Sequence, residues 1–215
     1  MATLLRRDFL GMGVGASASL LALPGQAKPT APPNLLFVIA DQWRGQATGY
    51  AGDPNAITPN LDRMAQSGLN LTNTVAVCPV CSPYRGSLLT GQYPLTHGVF
   101  INDVPLAPEA NCVGDIYKQA GYATGYIGKW HLNGSPKGKH ERRGAFIPRN
   151  RRQGFDHWRV LECTHNYNRS PYFGDTPDKL MWEGYDALAQ TREAQSYIAK
   201  HARERRPFCL FLSWG

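Results

Sequence analysis

Asn34-Leu35-Leu36-Phe37-Val38-Ile39-Ala40 is the stretch that determines the fold class, and Asp41-Gln42 follows it directly. This near-continuous apolar run lacks polar alternation, which is typical of a strand buried on both faces in a parallel sheet. Ligands bind at the carboxyl ends of strands in open α/β sheets. Asp41 is therefore better explained as a ligand than as solvated surface, and the run predicts an α/β fold.

Further periodic segments extend this pattern along the chain. The sequence predicts helices that begin at Thr58-Pro59-Asn60 and end at Gly68, over Val113–Ala120, and over Tyr185–Arg203. It predicts further strands over Leu69–Val77, Tyr122–Ile127 and Phe208–Ser213. Apolar strands separated by helices indicate a mainly parallel sheet with helices packed on it.

Cys78–Gly91, with the sequence CPVCSPYRGSLLTG, predicts a short helix with an unusual amino terminus. Ser82 is a residue type that caps helices, and Gly91 is placed to end the helix in a left-handed conformation. Cys81 then lies at the helix mouth, with Arg85 one turn further on. Unpaired N–H groups and the helix dipole favour anions there, so the segment predicts a site for a sulfate or phosphate group.

The pair Cys78 and Cys81 also has the spacing of a CxxC redox motif or of half a zinc site. No second CxxC follows, and the other cysteines of the chain are scattered singly at positions 112, 163 and 209. Zinc is therefore disfavoured, while a redox pair remains an alternative. An odd total of five cysteines does not indicate a disulfide scaffold.

Cys81-x-Pro83-x-Arg85, followed by Gly-Ser-Leu-Leu-Thr-Gly, resembles the active-site segment of the formylglycine-dependent sulfatases. NLLFVIADQ and TPNLDRMAQSGLN recur in that family in the same order. The resemblance implies an alkaline-phosphatase-like α/β/α sandwich with a mainly parallel central sheet. It also implies that a formylglycine-generating enzyme oxidises Cys81 to Cα-formylglycine, whose hydrated form attacks the sulfur of the ester.

By the same resemblance, Asp41 and Gln42 form the first half of a calcium site, to which the residue made from Cys81 is a further ligand. Many relatives have Asp-Asp at this position. Gln42 still offers a carbonyl oxygen, but the site has one negative charge fewer. We therefore expect weaker binding of Ca²⁺ unless ligands elsewhere compensate.

Gly128-Lys129-Trp130-His131 follows a predicted strand and resembles the family motif Gly-Lys-Trp-His-x-Gly. In extended backbone, Lys129 and His131 share one face. The resemblance implies that Arg85 holds the modified residue, that Lys129 contacts sulfate oxygens and that His131 is a catalytic base. Asn102 is a candidate substrate contact. We expect His97 to be structural.

Residues 1–27 have the pattern of a twin-arginine signal, with Arg6-Arg7-Asp8-Phe9-Leu10 before a Gly/Ala-rich run and Gly25-Gln26-Ala27. The run is too short and too rich in small residues for a stable membrane span. A Pro-rich linker follows over residues 28–33. We therefore expect recognition by the twin-arginine translocase and a periplasmic or extracellular location.

The chain carries a formal net charge of +7, and seven of its basic residues lie between Lys137 and Arg152. This segment is interpreted as a solvated loop or as an anion-binding rim. Nucleic-acid binding ranks behind both interpretations because the sequence contains no nucleic-acid-binding module.

These observations predict a sulfuric ester hydrolase, and a sulfated carbohydrate is the preferred substrate. A formylglycine-dependent phosphonate monoester or phosphodiester hydrolase is one alternative, although Lys129 with His131 favours a sulfatase. A non-catalytic anion- or glycan-binding protein is the other. In the family, a Pro-His pair follows a strand end that resembles Ser213-Trp214-Gly215, and an Asp followed by Asn, Gln or His comes much later, with a further Lys. Those later positions are not among the 215 residues. We therefore expect residues 34–215 to be the amino-terminal part of a sulfatase domain, incomplete at its carboxyl end and inactive alone.

Overall fold

A computed structural model describes residues 32–215 of the chain. The predicted signal, residues 1–27, lies outside the described residues. The strands are β1 Leu35–Ala40, β2 Ala123–Lys129, β3 His157–Leu161, β4 Pro171–Phe173, β5 Lys179–Met181 and β6 Phe208–Trp214. The helices are α1 Pro59–Ser67, α2 Cys81–Thr90, α3 Pro94–His97, α4 Val113–Gln119 and α5 Asp186–Glu204, with a 3₁₀ turn at Arg149–Arg151. No helix among residues 32–215 is long and apolar enough to cross a membrane.

The six strands form one sheet in the order β1-β6-β2-β3-β4-β5. β1, β6, β2 and β3 are mutually parallel, whereas β4 and β5 continue the sheet in antiparallel pairing. The predicted α/β fold with a mainly parallel sheet is confirmed. Because the carboxyl ends of parallel strands meet at one edge, the residues that follow β1, β2 and β3 are brought together there.

Helices cover both faces of the sheet, so the fold has three layers. One face packs an aromatic cluster of Tyr126, Trp130, Trp158 and Phe211 beneath α2 and α4. The other face packs apolar residues of β2 and β6 against α5. The central strand β6 is buried almost throughout, because it has a parallel neighbour on each side and helices above and below.

β1 differs from the prediction of a strand buried on both faces. Leu36 and Val38 are 47% and 45% exposed, whereas Leu35 and Phe37 pack against the aromatic cluster. Among the described residues, β1 is an edge strand that pairs only with β6, and α5 packs on β6 and β2 instead. One face of β1 is therefore left uncovered by residues 32–215.

The predicted strand over Leu69–Val77 is wrong. The segment consists of turns and irregular backbone, and Leu69, Leu71 and Val75 are exposed. An apolar segment forms a strand when a neighbouring strand pairs with it and another layer covers it. Among the described residues, this segment has neither.

Candidate active site

Helix α2 brings Cys81 to the carboxyl edge of the sheet. Cys81 is the first helical residue, and the capping position belongs to Val80, so the prediction that Ser82 is the N-cap is wrong. The N–H of Ser82 instead donates to Oδ1 of Asn102 at 2.9 Å, which caps the helix from another segment. Gly91 does end the helix, with a left-handed φ of 69°.

Four of the predicted site residues meet at this helix terminus. Arg85 Nη2 and Lys129 Nζ lie 3.0 and 2.7 Å from Oδ2 of Asp41. The Cys81 thiol donates to Oδ1 of Asp41 at 3.6 Å, and Lys129 Nζ lies 3.5 Å from the Cys81 sulfur. Two cations therefore face one carboxylate, which leaves an excess of positive charge beside residue 81.

Arg85 is 2% exposed and is held from several sides. Besides its pair with Asp41, its Nη1 donates to the Lys129 carbonyl at 2.6 Å, to Ser213 Oγ at 2.7 Å and to Tyr126 Oη at 3.2 Å. These contacts fix the guanidinium to β2 and β6 at once. No sequence motif indicates Ser213 or Tyr126 as a partner of Arg85, because these contacts depend on the pairing of neighbouring strands.

The charges of this cluster stabilise one another. Burial alone would raise the pKa of Asp41, but the Lys129 hydrogen bond and the nearby Arg85 charge lower it to about 2. Burial opposes the charge of Lys129, yet its hydrogen bond with Asp41 leaves the pKa of the ammonium raised. All three groups are therefore ionised at neutral pH.

His131 lies two residues past Lys129 and is 2% exposed. The prediction that His131 shares a face with Lys129 assumed an extended backbone. This assumption is wrong, because the φ of His131 is 56°, which is left-handed. Burial, followed by the charge of Lys129, lowers the pKa of His131 to about 4. The imidazole is therefore neutral at pH 7, which is the form that accepts a proton.

Asp103 also belongs to the site, although no sequence motif indicates it. Its Oδ1 lies 3.3 Å from Nε2 of His131 and accepts a hydrogen bond from Arg143 Nε at 3.0 Å. Its Oδ2 accepts from Arg143 Nη2 at 2.6 Å and lies 3.0 Å from His140 Nδ1. The Arg143 hydrogen bonds are the main reason that the pKa of Asp103 is lowered. In the sequence, Arg143 is one residue of a basic segment; in the structure, it is linked to His131 through Asp103.

The predicted calcium ligands are only partly assembled. Asp41 supplies the carboxylate oxygen that Ca²⁺ prefers, but two cations already share this group. Gln42 is exposed and has a left-handed φ of 53°. Residues 32–215 contain no cluster of three or more His, Cys, Asp or Glu side chains that could hold a metal ion. Asp41 suits one ligand position, and the described residues do not complete a calcium site.

Two further predicted residues have defined contacts. The side-chain oxygen of Asn102 accepts the Ser82 N–H, so this atom serves helix α2. His97 lies between Ser87 Oγ at 3.0 Å and the Val99 N–H at 3.1 Å, as expected of a structural histidine.

The basic segment Lys137–Arg152 divides into two groups. Arg143 is engaged with Asp103, and Arg152 is buried and donates to Asp175 at 2.7 Å. Lys137 and Lys139 are exposed. Part of the segment is therefore structural, and the rest is solvated surface near the site.

The fold and the site together define a class of protein. A parallel α/β/α sandwich carries, at its carboxyl edge, a helix terminus with a cysteine, two buried cations, a carboxylate and a neutral histidine. The fold is of the alkaline-phosphatase-like type, and the positive charge at its sheet edge has the sign that would attract an anion.

A family model described as Sulfatase matches residues 33–214, and the chain therefore belongs to the sulfatase family. The chain is 48% identical over 189 residues to the ulvan-active sulfatase of Formosa agariphila, over 87% of this chain and 36% of the relative. A Bacteroides fragilis structure described as a sulfatase superposes with a TM-score of 0.80 at 34% identity, over 90% of this chain and 45% of that chain.

A second structure, solved in complex with its substrate D-glucosamine-2-N,6-O-disulfate, superposes with a TM-score of 0.71 at 29% identity, over 85% of this chain and 34% of that chain. The chain spans 30 to 46% of the length of the first three curated relatives that it matches.

Proposed function

We propose that this protein is a sulfuric ester hydrolase that acts on a sulfated carbohydrate. The observation that carries the proposal is the position of Cys81. Its sulfur lies at a helix amino terminus, 3.5 Å from Lys129 Nζ and 3.6 Å from Asp41 Oδ1. A sulfate monoester carries its own negative oxygens, so its hydrolysis requires positive charge and a well-placed nucleophile at one point.

The arrangement fits the modification that the family resemblance implies. Cys81 is partly exposed, and its sulfur contacts both Lys129 and Asp41. A small polar group that replaced the thiol would therefore lie beside the same positive and negative charges. Formylglycine at residue 81 would supply a hydrated aldehyde as the nucleophile, and Ca²⁺ near Asp41 and Gln42 would add positive charge. We propose both groups, with a formylglycine-generating enzyme as the partner that modifies Cys81.

The chain's own residues divide the remaining work. Lys129 neutralises sulfate oxygens beside residue 81. Arg85 is fully engaged, so it holds Asp41 in place rather than reaching the substrate. His131 is neutral and buried, and it accepts a proton, while Asp103 orients its ring through Nε2.

A carbohydrate substrate is supported by the relatives. One relative is described as ulvan-active, and a matching structure contains a sulfated glucosamine. The exposed lysines of the basic segment are suited to an anionic glycan. A carbohydrate sulfatase is also consistent with our proposal that residues 1–27 direct the protein out of the cytoplasm through the twin-arginine translocase.

Turnover by cysteine variants of the full-length protein tests the proposal. Cys81→Ala should abolish hydrolysis of 4-nitrophenyl sulfate and of a sulfated oligosaccharide, because it removes the nucleophile. Cys78→Ala is the matched control and should keep activity within about threefold of the parent. Equal loss in both variants would favour the CxxC redox interpretation. Faster turnover of a phenyl phosphonate than of any sulfate ester would favour the phosphonate hydrolase.

A further inference from the structure

Glu162 follows β3 at the same sheet edge as Lys129 and is 0% exposed. Its Oε1 accepts the N–H groups of Asn133 and Gly134 at 2.7 and 3.0 Å. Its other oxygen, Oε2, is buried and has no hydrogen-bond partner among the described residues. A buried carboxyl group carries a large desolvation cost, so this placement requires an explanation.

The segment that Glu162 holds is the one that carries His131. His131 itself has a left-handed backbone, which is costly for a residue with a Cβ unless its surroundings fix it. Gly134 is packed so closely that a Cβ at this position would lie 2.6 Å from the Pro105 ring. The turn therefore has little freedom on that side, and Glu162 fixes it on the other.

The same segment positions Asp103. The Ser135 N–H donates to the Asp103 carbonyl at 2.7 Å, and the Leu106 N–H donates to the Leu132 carbonyl at 3.0 Å. These bonds align the two segments so that Oδ1 of Asp103 reaches Nε2 of His131. A shift of the turn would move both partners of this contact.

The residues on either side of Glu162 hold the same region through their main chains. The Leu161 carbonyl accepts the Trp130 N–H at 2.9 Å, and the Cys163 N–H donates to the Arg143 carbonyl at 3.1 Å. Those two bonds join main-chain atoms and do not involve the Glu162 side chain. Only the contact made by Glu162 depends on side-chain identity, so a substitution at this position isolates its contribution.

We propose that Glu162 is a positioning residue, which fixes the turn His131–Gly134 and thereby sets where the His131 imidazole lies beside Lys129 and Asp103. This inference rests on the proposed function of His131 as a base. The raised pKa of Glu162, about 7 through burial, agrees with the geometry. When Oε2 carries a proton, Oε1 still accepts the N–H groups of Asn133 and Gly134. A neutral side chain of the same shape can therefore make the same hydrogen bonds to the turn.

Three substitutions in the full-length protein test the proposal. Glu162→Ala should lower kcat on the order of 10- to 100-fold with KM changed by less than about threefold, because a base displaced by about 1 Å loses its alignment. Glu162→Gln keeps an acceptor oxygen in place and should restore kcat to within about threefold of the parent. Glu162→Asp shortens the reach to the turn and should give an intermediate loss even if the alanine variant does not fold.

Histidine NMR provides a readout that does not depend on turnover, so it separates this proposal from the proposed function. In Glu162→Asp and Glu162→Ala, the pKa of His131 should rise from about 4 toward its ordinary value of 6.5, because a released turn exposes the ring. Thr124→Ala is the control. It removes buried bonds to Gly154 and Asp156 at the opposite sheet edge and should leave kcat and the His131 pKa unchanged.

The proposal is overturned if Glu162→Asp and a folded Glu162→Ala keep both the parental kcat and the parental His131 pKa. It is also overturned if Glu162→Gln loses as much kcat as Glu162→Ala. A parent protein without sulfatase activity would contradict the proposed function, while the His131 titration would still decide whether Glu162 fixes the turn.

Discussion

Lys129 contacts both Asp41 and Cys81, and it is one of the two buried cations beside residue 81. Lys129→Ala should lower kcat/KM for 4-nitrophenyl sulfate on the order of 10²-fold or more, since a cation that meets developing negative charge is comparable to an oxyanion donor. Steady-state kinetics on the full-length protein measure this effect. A loss below about fivefold would contradict the role of Lys129 in neutralising sulfate oxygens.

The raised pKa of Glu162 predicts how the free energy of unfolding depends on pH. Its pKa is raised from 4.5 to about 7, so the folded state keeps its proton to higher pH than the unfolded chain does. Its contribution to stability is therefore fully present below pH 4.5, declines as pH rises to about 7, and stays low above that. Glu162→Gln removes this titration.

Urea unfolding of the parent and of Glu162→Gln at pH 5 and pH 8 tests the sign. The glutamine variant should gain on the order of 1 to 3 kcal/mol relative to the parent between the two pH values. Glu183→Gln, at an exposed position, corrects for the change in global charge. A parent that becomes relatively more stable at pH 8 would show that the pKa shift has the opposite direction.

Sequence motifs predicted the residues that the cluster brings together at Cys81, but not those that hold them. Asp41, Arg85 and Lys129 belong to short sequence motifs, which can be recognised without the three-dimensional structure. Asp103 and Glu162 bind side chains and N–H groups of distant segments, so their roles appear only when β2 and β3 are aligned. No local spacing indicated either carboxyl group.

The amino terminus of α2 is capped by Asn102 rather than by a residue of the helix itself. Asn102→Ala should lower the free energy of unfolding by about 1 kcal/mol, as the loss of an N-cap acceptor does elsewhere. Asn102→Asp keeps the acceptor and should retain most of the stability. Urea unfolding measures both variants.

The earlier prediction that Asn102 contacts the substrate gives a different outcome. In that case Asn102→Ala would raise KM about tenfold or more while leaving the free energy of unfolding unchanged. The capping role predicts that KM changes by less than about twofold.

Helices and strands with strong patterns were predicted well. The segments that became α1, α4, α5, β2 and β6 all have the predicted type within a few residues. Leu69–Val77 failed because an apolar stretch alone does not specify a pairing partner. The prediction of Ser82 as the N-cap was wrong because Asn102, which lies far from it in sequence, provides the oxygen that accepts the Ser82 N–H.

The open face of β1 predicts the behaviour of the 215-residue polypeptide by itself. Leu36 and Val38 are exposed side by side on an edge strand, and such edges promote association. We expect this polypeptide to aggregate, and the double substitution Leu36→Thr and Val38→Thr to reduce aggregation while preserving strand propensity. Size-exclusion chromatography with light scattering measures the change; an equally aggregated double variant would contradict the role of this face.

The same polypeptide should bind Ca²⁺ weakly and should not hydrolyse 4-nitrophenyl sulfate. Asp41 is the predicted metal carboxylate, and Ca²⁺ takes six to eight oxygen ligands. Calorimetric titration and a turnover assay check the two expectations. Tight calcium binding with calcium-dependent turnover by a soluble monomer of these 215 residues would contradict the assigned metal ligands.

The identity of residue 81 in an active preparation is the most direct test of the proposed function. Trypsin releases the peptide Met64–Arg85, and fragmentation mass spectrometry assigns the mass at residue 81. The full-length protein, purified with sulfatase activity, should carry an aldehyde there and an unmodified thiol at Cys78. A fully active preparation in which residue 81 remains an ordinary cysteine thiol would contradict the proposal that Cys81 is the precursor of the nucleophile.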